Sequence, residues 1–277
     1  MYMENYLSTE LPFLIFAVKN RLFGLSTQFV QEMLAVPAIT HIPDAPEWVR
    51  GVINIRGKVY KLIDMRMRMG IASREQEITE LTNSLSEREK EHKHWIDELE
   101  ACVKEEREFT LGVDPHACKF GTWYDNYKTD DTVVGMELKK FDRPHKAIHA
   151  TAEQVLELAA EGKKEDALSI IEARRNGELT TMINLFSSIK EILHETNREI
   201  AVIVELEQDS FALAVDSVEA VEQVAVEDEG SQSGNMLKEF GAEFNGRIVH
   251  RNQSEELLIL VDPYWIGGTV LSAASAK

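Results

Sequence analysis

Residues 51–64 read GVINIRGKVYKLID, in which two short apolar runs, GVINI and VYKLID, flank Arg56 and Gly57. Working outward from them, the same style holds back to Leu11, through LFGL and PFLIFAVK, with a turn at Pro43-Asp44-Ala45-Pro46. This is strand punctuation, and apolar residues often occupy both faces, as in a small closed barrel.

From about Ser73 to Asn197 the period changes. Ile78, Leu81, Leu85, His92, Trp95, Leu99 and Cys102 follow three- and four-residue steps or their sum, which places them on one stripe of a long helix. Val155, Leu158 and Ala159, then Leu168, Ile171, Met182, Leu185, Phe186, Ile189, Ile192 and Leu193, continue in that style, with interruptions at Gly162 and Gly177. A bundle of about four antiparallel helices buries such stripes and lets the chain rejoin its scaffold.

At Arg198 the strand pattern returns in EIAVIVELE, SFALAVDSV, VEQVAVE, GRIVH and LLILVD, with VEDEGSQSG and the segment around Asn235 reading as an exposed loop. The two β blocks echo each other. Phe23-Gly24-Leu25 followed by Val30 recurs as Phe211-Ala212-Leu213 followed by Val218, and Leu62-Ile63-Asp64 recurs as Leu260-Val261-Asp262. A duplication of this kind implies two related barrels interrupted by a helical insert. The expected fold class is α+β: two small five-stranded β-barrels, split in sequence over residues 1–72 and 198–277, with an antiparallel four-helix bundle inserted over 73–197.

The 277 residues carry 48 acidic and 30 basic side chains, a net charge of −18, with no basic block to offset the excess locally. Nucleic acid and anionic membranes are therefore poor partners. The start, MYMENYLSTELPFLIF, offers neither a basic leader nor a long apolar run, and no segment approaches the ~18 apolar residues of a membrane span, so the expected location is the cytoplasm. The only cysteines, Cys102 and Cys118, are too few for a disulfide framework.

The main chemical signal is the clustering of His92, His94, His116, His145 and His149 with Cys118 inside the helical block. His145 and His149 in HKAIH stand one helical turn apart on one face, a separation suited to one metal ion. Cys118 opens CKFGTWY, where Pro115 and Gly121 mark a turn into a short helix whose N-terminus favours a thiolate. His92 lies on an apolar stripe, where its nitrogens need partners, whereas His94 lies off it. Alone, Cys118 reads equally well as a buried structural cysteine and a helical histidine pair is a common pattern; together with His92 they supply N₃S, the ligand set of a closed tetrahedral Zn²⁺ site.

His92-x-x-Trp95, Cys118-x-Phe120-Gly121-x-Trp123-Tyr124 and His145-x-x-x-His149 resemble, in order, the motifs of the chemoreceptor zinc-binding (CZB) domain. The resemblance implies that His92, Cys118, His145 and His149 are the zinc ligands, that His94 and His116 are not, and that Cys118 is a redox-sensing group for oxidants such as hypochlorous acid. Phe13-Leu14-Ile15-Phe16, Val30-Gln31-Glu32, Gly51 to Gly57 and Leu62-Ile63-Asp64, with Leu213 to Val218 and Leu258 to Asp262, resemble the CheW-like coupling fold. That likeness implies contacts with a CheA-type histidine kinase and a chemoreceptor tip, with Val30, Glu32 and Arg56 in the partner-binding region. It departs from the family in the insert itself.

The sequence argues against an enzyme. HKAIH has Lys146 where a zinc hydrolase of the HExxH type carries its general-base glutamate, and four protein ligands leave no open position for water. A scaffold with purely structural zinc is the second reading and a metallohydrolase the third. Met65, Met67 and Met69 read as flexible core packing rather than a partner edge. The long first helix also offers a surface for a homodimer.

Overall fold

The computed structural model describes residues 11–129, 131–195, 198–224, 244, 246–251 and 256–268. They fall into two compact units, one made of residues up to 74 together with those from 198 onward, the other of residues 75–197. The loop expected at VEDEGSQSG and around Asn235 lies outside the described residues.

The first unit holds two five-stranded sheets built from β1 (Phe13–Val18), β2 (Arg21–Ser26), β3 (Val30–Ala35), β4 (Val49–Ile55), β5 (Lys58–Asp64), β6 (Ile200–Glu205), β7 (Ser210–Val215), β8 (Ser217–Glu222), β9 (Gly246–His250) and β10 (Leu257–Val261). Their orders are β8-β1-β2-β10-β9 and β3-β6-β7-β5-β4. Matching β1–β5 to β6–β10 makes the two orders identical with the halves exchanged. Each sheet takes its first hairpin from one half of the chain and its other three strands from the other half. The repeated triplets meet across this exchange: Gly24 pairs with Leu260 in the parallel β2–β10 ladder, and Ala212 with Leu62 in the parallel β7–β5 ladder. After each Leu-x-Asp a short helix follows, α1 (Met65–Arg68) and α8 (Pro263–Gly267), capped by the Asp64 and Asp262 carboxylates.

The sequence expectation of one barrel per β block needs correction on two counts. Neither sheet is drawn from one block, and neither is a closed barrel. Among the described residues no ladder joins β3 to β4 or β8 to β9. The edges of the second sheet approach each other through a single bridge between Thr40 and Val52, an Arg56–Glu32 ion pair at 3.2 Å, and a Tyr60–Gln31 hydrogen bond at 3.3 Å. The physical reason lies in β3, whose residues alternate between half-buried and exposed with none fully buried. It has no apolar seam with which to complete a closed interior.

The apolar character of both strand faces is real and has a different use. Leu14, Phe16 and Val18 of β1, Val202 and Val204 of β6, Phe211, Leu213 and Val215 of β7, and Ile259 and Val261 of β10 point into one core shared by the two sheets. Their alternate neighbours fill two separate clusters, Ala201, Ile203, Ala212 and Ala214 in one sheet and Phe13, Ile15, Leu258 and Leu260 in the other. The halves are also tied by a two-pronged pair, Arg66 to Asp216 at 2.6 and 2.7 Å. Met65 and Met69 are buried in the shared core.

The second unit contains α2 (Arg74–Glu105), α3 (Lys119–Asn126), α4 (Thr132–Lys139), α5 (Asp142–Ala160), α6 (Lys164–Arg174) and α7 (Thr180–Glu195), packed round one core that includes Leu99, Phe120, Ile148, Val155, Met182, Phe186 and Ile189. Gly162, at φ 79°, does end a helix. Gly177 does not: it sits in a π-helical turn, Arg175–Leu179, that joins α6 to α7 without a break. The step from buried Ile171 to buried Leu179 is eight residues, one too many for two α-helical turns, and the wider turn absorbs the excess so that both helices keep one buried stripe. No helix among the described residues is long and apolar enough to cross a membrane.

The approach of Thr40 to β4 depends on Gly51, whose φ is 142° and where a Cβ would stand 2.3 Å from the Thr40 carbonyl oxygen. Gly51→Ala is expected to destabilise the β unit by about 1–3 kcal/mol through backbone strain, read as a lower urea midpoint by circular dichroism, with zinc binding by the chain unchanged. An unaltered midpoint contradicts the argument.

Candidate metal centre

Three pieces of chain deliver four ligand-bearing side chains to one place. His92 projects from the buried face of α2, in line with Ile96, Leu99 and Trp95. Its Nδ1 lies 2.7 Å from the Arg88 carbonyl oxygen, which can only accept, so the ring proton sits on Nδ1 and the Nε2 lone pair is left available.

After α2 the chain turns at Glu106, at φ 58°, and loops back over the helix. Trp95 holds this loop: its indole N–H donates to the Gly112 carbonyl at 2.9 Å, and Phe109 packs edge-on against the ring. The loop ends at Cys118, which caps α3. The sulfur accepts the Gly121 N–H at 3.1 Å, and its own S–H lies 3.3 Å from the Pro115 carbonyl oxygen. Gly121 is obligatory here, since a Cβ would sit 1.8 Å from that same oxygen. Lys119 pairs with Glu91 at 2.7 Å, joining the start of α3 to α2 one residue before His92.

His145 and His149 come from α5, buried with Ile148, Ala152 and Val155. The ligand atoms of His92, Cys118, His145 and His149 all lie within 4.8 Å of one another. Cys118 Sγ lies 3.2 Å from His145 Nε2. The three histidines are only 2–4% exposed and Cys118 is half-buried. Phe120 packs edge-on against this group, 4.9 Å from the His145 ring and 5.6 Å from that of His92, and Phe186 of α7 backs Phe120 at 5.5 Å.

Burial dominates the electrostatics. It pushes His145 down to about 3, assisted by His92 and His149, and His149 down to about 4; it lowers His92 and raises the Cys118 thiol. All three imidazoles are thus neutral at pH 7, the form that donates a lone pair. Nε2 of His92 and both ring nitrogens of His149 lack a hydrogen-bond partner. The backbone at Gly112 and Val113 lies close to His149 without completing one. Each such orphan costs about 1–3 kcal/mol.

These residues fit a zinc ion. A tetrahedral Zn²⁺ with bonds of about 2.0–2.3 Å spaces its ligand atoms about 3.3–3.8 Å apart. The donor set is N₃S, and a shared cation satisfies orphaned nitrogens that a plain core leaves exposed to penalty.

The remaining sequence-predicted residues lie elsewhere. His94 is exposed, and His116 is exposed and paired to Asp125 at 2.8 Å. Arg56 stands at the tip of the β4–β5 turn at φ 50°, with its side chain 83% exposed and reaching Glu32, while Val30 packs on the shared β core. Sequence reasoning placed Trp95 on the apolar stripe of the long helix and Gly121 at the turn before the short one, named Phe120 only as a motif letter, and missed Phe186 as a neighbour of the centre. The positions of the first three in HxxW and CxFG were the available signal; their work of holding the loop and admitting the carbonyl is visible only in three dimensions.

Residues 12–89 match the family model described as CheW-like domain, and residues 92–156 match that described as chemoreceptor zinc-binding domain. The first match runs past the structural division at 74 into α2; the second contains all four ligand candidates; β6–β10 lie outside both. The chain is 36% identical over 56 residues to the chemotaxis protein CheW of Klebsiella aerogenes, covering 20% of this chain and 34% of that protein. It is 29% identical over 66 residues to the chemotaxis protein CheW of Helicobacter pylori, covering 24% and 40%. The chain thus spans little more than a third of the length of these relatives. A crystal structure of the scaffolding protein TtCheW from Thermoanaerobacter tengcongensis aligns over 91% of this chain and 88% of its own at 14% identity, with a TM-score of 0.38, too low to bear on the fold. Residues 12–89 carry a CheW-like domain, and residues 92–156 carry a chemoreceptor zinc-binding domain.

Proposed function

We propose that the chain is a cytoplasmic coupling scaffold that links a chemoreceptor tip to a CheA-type histidine kinase, and that residues 73–197 form an inserted sensor whose zinc ligands are His92, Cys118, His145 and His149. The observation that carries this reading is the convergence of three neutral, buried imidazoles and one thiol within a unit inserted in a β scaffold. Zinc bound there supplies a positive charge that keeps Cys118 as a thiolate and joins α2, α5 and the start of α3. The β unit carries the proposed partner region, with Val30 and Glu32 on edge strand β3 of the second sheet and Arg56, in the turn after the opposite edge strand β4, reaching Glu32.

The signal in this reading is zinc availability or an oxidant such as hypochlorous acid acting on Cys118. The chain's own residues link the centre to the scaffold. His92 sits on the helix that leaves the β unit, and Phe186, Lys190 and their neighbours sit on the helix that returns to it, with Lys190 paired to Glu89 of α2 at 3.0 Å. Loss of the thiolate ligand frees α5 and the start of α3 from α2 and alters the α2–α7 pair. Signalling of this kind needs a coupling energy of about 1–3 kcal/mol between ligand state and partner binding. The near-complete burial of the three histidines favours a second reading, structural zinc in a scaffold that does not respond.

Metal analysis of the full chain is expected to find one zinc per chain. Cys118→Ser and His149→Ala are each expected to weaken it by about tenfold or more in chelator competition; unchanged affinity in both removes the assignment. Gly121→Ala changes no ligand, yet it displaces the turn that presents the sulfur, and is expected to weaken zinc by about 10–100-fold. In a reconstituted receptor–kinase assay, kinase output is expected to differ between wild type and Cys118→Ser across zinc and hypochlorous acid titrations. Identical output in both leaves only structural zinc.

A further inference from the structure

Val49 of β4 pairs with Ile63 and Gly51 with Leu62, so Arg50 between them is the additional residue of a β-bulge, a device that re-aims a side chain out of the regular alternation. The Arg50 side chain is only 14% exposed. Its Nη1 pairs with and donates a hydrogen bond to Glu199 Oε2, and the same nitrogen stands 3.6 Å from Asp64 Oδ2. Both carboxylates are buried. Asp64 uses Oδ1 to cap α1 through the Met67 N–H, while its Oδ2 has no hydrogen-bond partner. Burial pushes both carboxyls up and Arg50 pulls both back, with Asp64 and Asp216 adding to the rise at Glu199. One guanidinium thus stands between two buried acids, hydrogen-bonded to the first and within reach of the second.

Glu199 is also the point at which the chain re-enters the scaffold. Helix α7 ends at Glu195, the helical unit ends at residue 197, and Glu199 directly precedes β6. Its carbonyl accepts the Val36 N–H at 3.0 Å, just past the end of β3, while its carboxylate holds Arg50 of β4. These strands are the two edges of the second sheet, and among the described residues no ladder joins them. A single residue therefore grips both edges, one through its backbone and the other through its side chain.

We propose that Glu199 and Arg50 form a clasp through which the returning end of the helical insert sets the spacing of β3 and β4, and that the clasp opens by transfer of Arg50 from Glu199 to Asp64 Oδ2. It rests on the reading of the insert as a zinc-responsive sensor, and it names the joint that carries the sensor's state to the strands bearing Glu32 and leading to Arg56. In the closed arrangement Glu199 is paired and Asp64 Oδ2 is orphaned. In the open one Arg50 completes Asp64, and Glu199 is drawn into water with the chain that precedes it. Arg50 is paired in both, so neither arrangement strands a buried guanidinium, and a coupling energy of the size signalling supplies can decide between them. Asp64 caps α1, which lies on the outgoing side of the insert, so the exchange touches the chain on both sides of residues 75–197.

The test measures amide hydrogen exchange of the full-length chain, zinc-loaded and after chelation, in peptides covering β3 and β4. Chelation is expected to raise exchange in both strands of the wild type by about fivefold or more. Glu199→Gln keeps the size of the side chain and removes its charge; it is expected to exchange fast in both metal states, with no further rise on chelation. Asp64→Asn still caps α1 and removes only the alternative partner of Arg50, so the rise on chelation is expected to shrink while circular dichroism shows the fold retained. A rise that persists in Glu199→Gln, or that is undiminished in Asp64→Asn, overturns the clasp and leaves zinc sensing standing. No rise in the wild type, with kinase output still following zinc, has the same meaning; no rise and no zinc-dependent output overturns both.

Discussion

Three imidazoles withdrawn from water, with three ring nitrogens among them left without hydrogen-bond partners, set the main constraint on the helical unit. A fully apolar replacement would fill the same volume more cheaply, so the arrangement makes sense where a cation completes it. The surrounding details serve that constraint. The Arg88 carbonyl fixes which nitrogen of His92 bears the proton, Trp95 ties down the loop that brings Cys118, and Gly121 leaves room for the turn that aims the sulfur. Phe120 and Phe186 keep the group dry and extend its influence to α7.

The β unit follows a different logic. Exchange of strands between its halves means that the shared core is filled by residues from both sides of the insert, Phe16 and Phe23 from one and Phe211 and Ile259 from the other. The Arg66–Asp216 pair crosses the same divide. An insertion between the halves interrupts the sequence of this unit without interrupting any sheet ladder, since no ladder joins β5 to β6.

Much of this was legible from residue order. The four ligand candidates could be named because histidine on an apolar stripe is chemically conspicuous, and because HKAIH fixes its own geometry through the helical period. The strands were legible as strands, and the echo between Phe23-Gly24-Leu25 and Phe211-Ala212-Leu213 does mark equivalent positions, β2 and β7. What the echo could not convey was which strand pairs with which, because a triplet carries no information about its neighbour across the sheet. The closed barrels were wrong for a related reason: apolar residues on both faces of a strand fit a barrel interior and a two-sheet core equally well. Gly177 misled as a helix end because a glycine inside a π turn looks, in sequence, like one that stops a helix.

The exchange of strands also orders events during synthesis. β1 and β2 leave the ribosome well before β10, the parallel neighbour of β2, and such distant pairings are slow to form. The helical unit is compact within its own 75–197 segment, so it can close while the first five strands still wait for their partners. Nascent chains would then carry a finished helical unit on an unfinished β unit, with chaperones as their first company.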